Sequence, residues 1–210
     1  MTSTPSRAWG VIFDFGGVLS SSVGSRDILG PAARQLGLEE EELVQRLFSG
    51  EAWEQASRGE ISPAAYWTRV TAGLGAAGPP ADLAPFADNP FFGEYLDEEV
   101  VSLLHAVRAR GHRTALCSNA LPGLLYHLAQ RPEVFLAFDV VVISALVGSR
   151  KPEEAIFHTT LARLRLPPER CIFIDDRERN LETARRLGLH THLFTGAREA
   201  EQALRALHIL

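Results

Sequence analysis

The sequence predicts an α/β fold, namely a Rossmann-like, doubly wound parallel sheet of five strands that carries a small inserted helical cap. Five short apolar runs alternate with helical patterns, which is the order of strands and helices in a parallel sheet. After the first run, at Val11 to Phe13, this alternation stops and helical signals take over. We therefore expect a core domain formed by residues 1–19 and 91–210, and a helical cap at residues 20–90.

The composition is that of a folded domain and argues against some functions. Of the 210 residues, 46% are apolar and 22% are charged, close to ordinary globular usage. The net charge of −5 provides no basic field for nucleic acid or for an acidic membrane surface. No run approaches a transmembrane helix in length, and Met1 to Arg7 lack a signal core, so we expect a cytoplasmic protein. The sequence does not indicate an oligomeric state.

The first strand leads into a polar segment. Val11 to Phe13 are β-branched or aromatic, as in buried strands of parallel sheets, and Asp14 follows them. Gly16-Gly17 permits a tight turn that exposes main-chain groups to a ligand. A loop is expected at Ser20 to Ser25.

Helical patterns dominate the insertion. Helices are predicted at Ile28 to Leu36, at Glu39 to Phe48, and in a segment that opens with Ser62 as cap and Pro63 at its first position. Five aromatic residues are expected to pack between the cap helices, with the lining of a substrate pocket as the alternative. They are Trp53, Tyr66, Trp67, Phe91 and Phe92. Residues 75–90 are rich in Gly, Pro, Ala and Asp, which is typical of a linker.

The remaining chain alternates strands and helices. Strands are predicted at Thr114 to Cys117, Phe138 to Ile143, Cys171 to Ile174 and His190 to Phe194. Helices are predicted at Asp97 to Arg110, at Leu121 to Gln130, from Pro152 to Leu164, and at Glu178 to Leu187. Cys117 and Cys171 lie in the strand-like runs without metal-type spacing, so reduced core thiols are expected.

Polar residues follow the ends of the predicted strands. They are Asp14, Ser118-Asn119, Arg150-Lys151 and Asp175-Asp176. Each alone has a structural explanation, as a helix cap or as a solvated charge. The carboxyl ends of parallel strands share one edge of the sheet, so together these groups form a candidate site. Carboxylates with a backbone carbonyl suit Mg²⁺, which also takes substrate phosphate oxygens.

These segments resemble the four motifs of the haloacid dehalogenase superfamily of hydrolases. The matching segments are Phe13 to Leu19, Ser118-Asn119, Lys151-Pro152 and Phe173 to Asp176, within a resemblance that runs from Trp9 to about Thr195. The stretch Trp53 to Trp67, with Arg58-Gly59-Glu60-Ile61-Ser62, is similar to the helical cap of one branch. That branch includes sugar 1-phosphate phosphatases and the amino-terminal phosphatase domain of bifunctional epoxide hydrolases. The resemblance implies a flavodoxin-like sheet with the first strand at its centre.

The resemblance further implies a magnesium-dependent phosphatase that hydrolyses a small phosphate monoester. Asp14 would be the nucleophile and would form an aspartyl-phosphate. Mg²⁺ would be held by Asp14, by the backbone carbonyl of Gly16 and by Asp175, with Asp176 in support.

The other motif residues would hold the phosphoryl group. Lys151 would stabilise its oxygens and keep Asp14 ionised, and Ser118 would hydrogen-bond to it. Asn119 would bind the surrounding backbone or the substrate. The expected partner is a small phosphorylated molecule, with neither nucleic acid nor a membrane involved.

Gly16 departs from the pattern of most phosphatases in this family, which carry there a second Asp that protonates the leaving group. Side-chain acid/base catalysis of this kind is typically worth 10²–10⁴-fold. We expect substrates whose leaving group needs little protonation, such as sugar 1-phosphates or acyl phosphates. A water, Glu60, His127 or a hydroxyl of Ser20 to Ser22 could also replace the acid.

Two alternatives stay open. A 2-haloacid dehalogenase also uses an Asp nucleophile without an Asp two residues later, although Asp175-Asp176 would then be uncompensated carboxylates beside the nucleophile. The other alternative is a catalytically weak phosphate-binding or regulatory protein of the same fold. Arg26, Arg58 and Arg150 are expected at the surface, with contact to a substrate phosphate or sugar as the alternative.

Overall fold

In the computed structural model, which describes residues 8–21, 23–74 and 95–210, seven strands are formed. They are β1 (Gly10–Phe13), β2 (Ser20–Ser21), β3 (Tyr95–Leu96), β4 (Arg113–Ser118), β5 (Val140–Ile143), β6 (Cys171–Asp175) and β7 (His190–Leu193). Five of them form a parallel sheet in the order β5-β4-β1-β6-β7. The predicted fold class is confirmed, and β1 lies at the centre of the sheet. Strands β2 and β3 form a separate antiparallel pair.

The same ranges contain eleven α-helices. They are α1 (Val23–Leu36), α2 (Glu40–Phe48), α3 (Gly50–Ser57), α4 (Pro63–Gly73), α5 (Glu98–Ala109), α6 (Leu124–Ala129), α7 (Pro132–Phe135), α8 (Ser144–Val147), α9 (Glu154–Leu164), α10 (Glu178–Arg186) and α11 (Ala197–Ala206). A 3₁₀ helix spans Pro168–Arg170. Among the described residues, no helix is long and apolar enough to cross a membrane.

Apolar clusters cover both faces of the sheet. Side chains alternate along a strand, so Val11 and Phe13 of β1 join one cluster with α5 and α11, while Ile12 joins the other with α9 and α10. Cys117 and Cys171 are buried free thiols, as expected, and burial raises the pKa of Cys117 to about 11. The strands that carry the site, β1, β4 and β6, are therefore buried on both faces of the sheet.

Helices α1–α4, which we call the inserted helices, pack around an apolar cluster of their own. Tyr66 and Trp67 are buried in it, and Trp53 packs against the Tyr66 ring with 5.8 Å between centroids. Ser62 caps α4 by accepting a hydrogen bond from the Ala65 N–H, as predicted. Leu121, from the segment after β4, belongs to the same cluster, so these helices rest on the sheet domain beside that strand.

Two predicted segments of the first half differ from the structure. The loop expected at Ser20 to Ser25 is replaced by β2 and the start of α1, because Ser20 pairs with Leu96 and the helix begins at Val23. The linker predicted at 75–90 lies outside the described residues. The division into core and cap at residues 19 and 91 therefore stays a prediction.

Three elements in the second half of the chain begin later than the sequence predicts. Helix α6 begins only at Leu124, after Pro122 and Gly123. Strand β5 begins at Val140, where pairing with Ala115 of β4 starts. Helix α9 begins at Glu154 rather than Pro152, because Arg150 to Glu153 form a turn in which the Glu153 N–H donates to the Arg150 carbonyl. A cis peptide bond joins Lys151 to Pro152 within this turn.

Candidate active site

The carboxyl ends of three neighbouring strands bring the predicted site residues to one edge of the sheet. Asp14 follows β1, Ser118 ends β4, and Asp175 ends β6. The register pairs Phe13 with both Leu116 and Ile174, so these strands end at nearly the same level. The Asp14 N–H donates to the Ile174 carbonyl at 3.0 Å, which ties the end of β1 to β6.

Lys151 lies between two of the predicted carboxylates. Its Nζ is 2.7 Å from Asp14 Oδ1 and 2.7 Å from Asp175 Oδ2. The Lys151 side chain is 1% exposed, Asp14 10% and Asp175 0%, so these are ion pairs removed from water. In such surroundings each charge depends on its partners, because an unpaired buried ion is strongly unfavourable.

Asn119 fixes the backbone that carries Lys151. Its Oδ1 accepts from the Lys151 N–H at 2.7 Å, and its Nδ2 donates to the Lys151 carbonyl at 2.8 Å. The Phe173 ring lies beneath the ammonium group, 5.3 Å from Nζ. Ser118, the neighbour of Asn119, is 3% exposed at the end of β4. Asn119 thus binds surrounding backbone, one of the two contacts expected for it.

Asp175 is held by a residue that the sequence reasoning missed. Asn180 Nδ2 donates to both Asp175 oxygens, at 2.9 and 3.0 Å, and the Arg177 N–H donates to Oδ1 at 2.8 Å. Burial works to raise the pKa of Asp175, but the Lys151 charge and these hydrogen bonds hold that pKa below its ordinary value. An Asn in the first turn of the helix after the acidic pair was the signal available in the sequence.

Asp14 is in a different electrostatic state. Burial raises the pKa of Asp14 to about 7, the charges of Asp175 and Asp176 act in the same direction, and Lys151 opposes them. Lys151 therefore favours the ionised form of Asp14 as expected, but does not outweigh burial. The Phe15 N–H also donates to Asp14 Oδ1, at 2.6 Å.

The two glycines after Asp14 have different surroundings. Gly17 has a φ of 77°, and a Cβ there would lie 2.7 Å from Asp176 Oδ2, so only glycine fits. At Gly16, by contrast, no atom lies within 4 Å of the place a Cβ would take. The turn thus brings the Asp176 carboxylate against the backbone of Gly17 and leaves open space at Gly16.

The acidic residues form a group whose chemistry fits a divalent cation. Carboxylate oxygens of Asp14, Asp175 and Asp176 all lie within 4.8 Å of one another. Burial, followed by the charge of Asp175, raises the pKa of Asp176. Lys151 pairs with Asp14 and Asp175, whereas Asp176 lies 3.9 Å from Arg177 Nε. The oxygens of all three carboxylates are the ligands that Mg²⁺ prefers.

Three residues that could replace the general acid missing at Gly16 are in different surroundings. The His127 ring packs edge-on against Phe15, 5.8 Å between centroids, and burial lowers the pKa of His127. Glu60 is exposed. Ser20 is buried, and its backbone N–H donates to the Phe15 carbonyl at 2.8 Å. None of these contacts links a side chain to Asp14.

Arg150 corrects the expectation that it lies at the surface. It is 7% exposed, and its Nη1 lies 3.5 Å from Glu54 Oε1 of α3. The inserted helices cover it, because α3 lies against the turn that carries Arg150 and Lys151. Arg58 is only 30% exposed at its side chain, since it pairs with Glu153.

A protein-family model described as haloacid dehalogenase-like hydrolase matches residues 10–188 of this chain. The match covers all four motifs.

Curated relatives match all or part of the chain. Acyl-CoA dehydrogenase family member 10 of Mus musculus is 41% identical over 106 residues, 48% of this chain but 9% of that protein. The sesquiterpene phosphatase of Aspergillus oryzae is 25% identical over 178 residues, 85% of each chain. Bifunctional epoxide hydrolase 2 of Rattus norvegicus is 39% identical over 49% of this chain and 19% of its own length. The chain thus spans less than a tenth of the mouse protein.

Solved structures share the fold. A HAD-like family hydrolase from Porphyromonas gingivalis has a TM-score of 0.73 and 25% identity, covering 95% of this chain and 98% of its own. A HAD family enzyme from Bacteroides thetaiotaomicron, solved in complex with magnesium and inorganic phosphate, has a TM-score of 0.66 and 22% identity, covering 88% and 93%. L-2-haloacid dehalogenase from Xanthobacter autotrophicus, with chloropropionic acid covalently bound, has a TM-score of 0.68 and 16% identity, covering 97% and 84%. The last two show the fold alone.

Proposed function

This chain belongs to the haloacid dehalogenase-like hydrolases, and we propose that it is a magnesium-dependent phosphatase that hydrolyses a small phosphate monoester through an aspartyl-phosphate on Asp14. The observation that carries the proposal is the buried cluster in which Lys151 pairs with Asp14 and Asp175 beside Asp176. Relatives named as phosphatases support this choice within the family.

Mg²⁺ would be held by Asp14, the Gly16 carbonyl and the acidic pair. Asp175 already accepts hydrogen bonds from Lys151, Arg177 and Asn180. We therefore assign the direct contact to Asp176 and the supporting role to Asp175, the reverse of the sequence-based expectation. When bound, the cation neutralises charge on the phosphoryl oxygens. The magnesium and phosphate in the Bacteroides enzyme support the choice of ion.

The residues of the chain would carry the reaction in two steps. Lys151 and Phe15 both bind Asp14 Oδ1, so we assign Oδ2 as the nucleophile. A bond from Oδ2 to phosphorus forms as the bond from phosphorus to the ester oxygen breaks, and the leaving group departs with its electron pair. Water then attacks phosphorus, the bond from phosphorus to Oδ2 breaks, and the carboxylate is restored. Both protons of the water leave with the inorganic phosphate.

Two further residues would act on the phosphoryl group. The Lys151 ammonium stabilises charge on the phosphoryl oxygens, and the Ser118 hydroxyl donates a hydrogen bond to one of them. Asn119 acts indirectly, because it fixes the backbone of Lys151.

Gly16 restricts the substrates that we propose. Because it supplies no acid, a leaving group that departs without a proton is favoured, as in a sugar 1-phosphate or an acyl phosphate.

The test is phosphate release from acetyl phosphate, glucose 1-phosphate, glucose 6-phosphate and p-nitrophenyl phosphate, with Mg²⁺ and with chelator. We expect Mg²⁺-dependent turnover, faster on glucose 1-phosphate than on glucose 6-phosphate, and its loss in Asp14→Asn. This variant keeps the size of the side chain, and a cooperative thermal unfolding transition serves as the control that it is folded. Equal turnover with chelator would contradict the proposal.

Gly16 also favours a second candidate, a 2-haloacid dehalogenase, because that activity needs no acid at this position. Chloride release from 2-chloropropionate in the presence of chelator, lost in Asp14→Asn, would identify it. Phosphate binding without turnover of any compound would instead indicate a weak or regulatory phosphate-binding protein.

A further inference from the structure

One carboxylate joins the inserted helices to the turn that carries Lys151. Glu153 Oε2 accepts from the Ser149 hydroxyl at 2.9 Å and from the Arg150 N–H at 3.2 Å, which holds the turn. Glu153 Oε1 accepts from Arg58 Nε at 2.7 Å, and Arg58 Nη2 is 2.6 Å away. Arg58 lies directly after α3, so a single side chain binds both parts of the molecule.

A second ionic contact also joins the inserted helices to the turn that carries Lys151. Glu54 of α3 lies 3.5 Å from Arg150 Nη1 and 3.9 Å from Arg58 Nη1. Arg150 is nine-tenths buried, and its Nε has no hydrogen-bond partner in the described part of the chain. A buried guanidinium with an unused donor depends on the acidic groups around it, which come from both sides of this boundary.

The backbone of the Arg58-Gly59 turn also lies close to the backbone of α8. Gly59 has a φ of 74°, and a Cβ at this position would overlap the Ala145 carbonyl oxygen. Ala145 lies in α8, and its N–H donates to the Ala120 carbonyl, next to Asn119. The Arg58-Gly59 turn is therefore seated on a helix in contact with the segment that fixes Lys151.

We propose that Arg58 is a positioning residue for the proposed reaction, acting through Glu153. When the inserted helices pack on the sheet domain, the Arg58 guanidinium binds Glu153 Oε1. Oε2 of the same carboxylate then holds the turn so that Lys151 stays in contact with Asp14 and Asp175. Without Arg58 the carboxylate is free to rotate away from Ser149 and Arg150. This inference rests on the proposed phosphatase function.

The expected effect is on turnover more than on substrate binding, since Lys151 acts on charge that develops in the transition state. Glu153 and Arg58 side chains are 37% and 30% exposed, so the pair is partly screened by water. We expect Arg58→Gln and Glu153→Gln each to lower kcat on acetyl phosphate about fivefold, with KM changed less than about twofold.

A double-mutant cycle tests the coupling. In the Arg58→Gln/Glu153→Gln variant, kcat should fall no further than in the worse single variant, because both remove the same contact. Arg58→Lys should restore part of the loss. Arg46→Gln is the matched control, since Arg46 pairs with Glu42 on the exposed side of α2, and it should leave kcat unchanged. Losses that multiply in the double variant would overturn the proposal.

Amide hydrogen exchange supplies a measurement that is independent of activity. Arg58→Gln should speed exchange in α3 and at residues 145–153, while Arg46→Gln should not. If wild-type protein releases no phosphate from any compound, the proposed function fails and exchange alone decides this inference. Unchanged exchange at residues 145–153 in Arg58→Gln would then overturn it.

Discussion

Ion pairs at the sheet edge and at the surface use the same groups in opposite environments. Lys151 and its two partners, Asp14 and Asp175, have side chains that are at most 10% exposed. On the surface, Arg131 lies 2.9 Å from Glu98 with exposed fractions of 39% and 66%. Water screens the surface pair and replaces its contacts, whereas nothing replaces the buried ones. The distances are alike, so burial decides how much each pair matters.

The comparison also distinguishes function from stability. Burying an ion pair rarely stabilises a fold better than apolar residues of the same size would. Such a cluster, formed at the ends of β1 and β6 and by the turn that carries Lys151, is therefore best explained by chemistry performed there.

The largest effect is expected from Lys151→Met, which keeps the length of the side chain and removes its charge. Asp14 and Asp175 would face each other without a counter-charge, so the free energy of unfolding should fall by about 3 kcal/mol in chelator. Phosphate release should fall by about 10³-fold or more, because the phosphoryl oxygens lose their contact with the Lys151 ammonium group. Chemical denaturation and steady-state kinetics measure these changes. A loss of activity below tenfold would contradict the assigned role.

Gly17→Ala should come next, with Gly37→Ala as its control. Both glycines have positive φ, 77° and 67°, so both substitutions introduce about 1–2 kcal/mol of backbone strain. Only at Gly17 would the added Cβ displace Asp176, since nothing lies within 4 Å at Gly37. We expect kcat/KM to fall about 10²-fold in the first variant and to stay unchanged in the second. Equal kinetics in both would show that Asp176 has no part in the site.

Asn180→Ala tests the support of Asp175. Two donated hydrogen bonds to a buried carboxylate are lost, so unfolding free energy should fall by about 2 kcal/mol and turnover by about tenfold. Thermal unfolding and phosphate release give both values. Stability equal to that of the wild type would show that Asp175 finds other donors.

Gly16→Asp should have a selective effect. Open space at Gly16 admits the side chain, and the new acid can donate a proton to the leaving group. Turnover of glucose 6-phosphate should rise several-fold more than turnover of acetyl phosphate, because only the former leaving group needs the proton. The same relative change for both substrates would reject the explanation based on the missing acid.

The smallest effect is expected from Arg131→Gln, which breaks the exposed contacts with Glu98 and Glu133. The free energy of unfolding should change by less than about 1 kcal/mol and activity not at all. Chemical denaturation in low and in high salt measures the change in the free energy of unfolding. A loss comparable to that of Lys151→Met would remove the distinction drawn between buried and exposed pairs.

The sheet domain was predictable because its signals are local and strong. Apolar runs located the five strands, and the rule that parallel strands end at one edge brought Asp14, Ser118 and Asp175 together. The short helices α7 and α8 and the helices α3 and α11 were missed, since only one or two residues of each are buried.

The residues missed in the site share another cause. Asn180 and Glu153 are polar residues at the starts of helices, where the ordinary expectation is a solvated cap. Their roles depend on which loops meet in space, and no local pattern encodes that. Arg150 was expected to be exposed because long charged side chains usually are.

Lys151 is the single lysine among the 21 basic residues of the chain, and it is 1% exposed. Amine-reactive reagents therefore have one side-chain target in this sequence, and folding protects it. The rate at which a mass label appears on this side chain would report how often the site opens to solvent. A ligand bound over the ammonium group would slow that labelling, so the labelling rate of Lys151 would report whether the site is occupied.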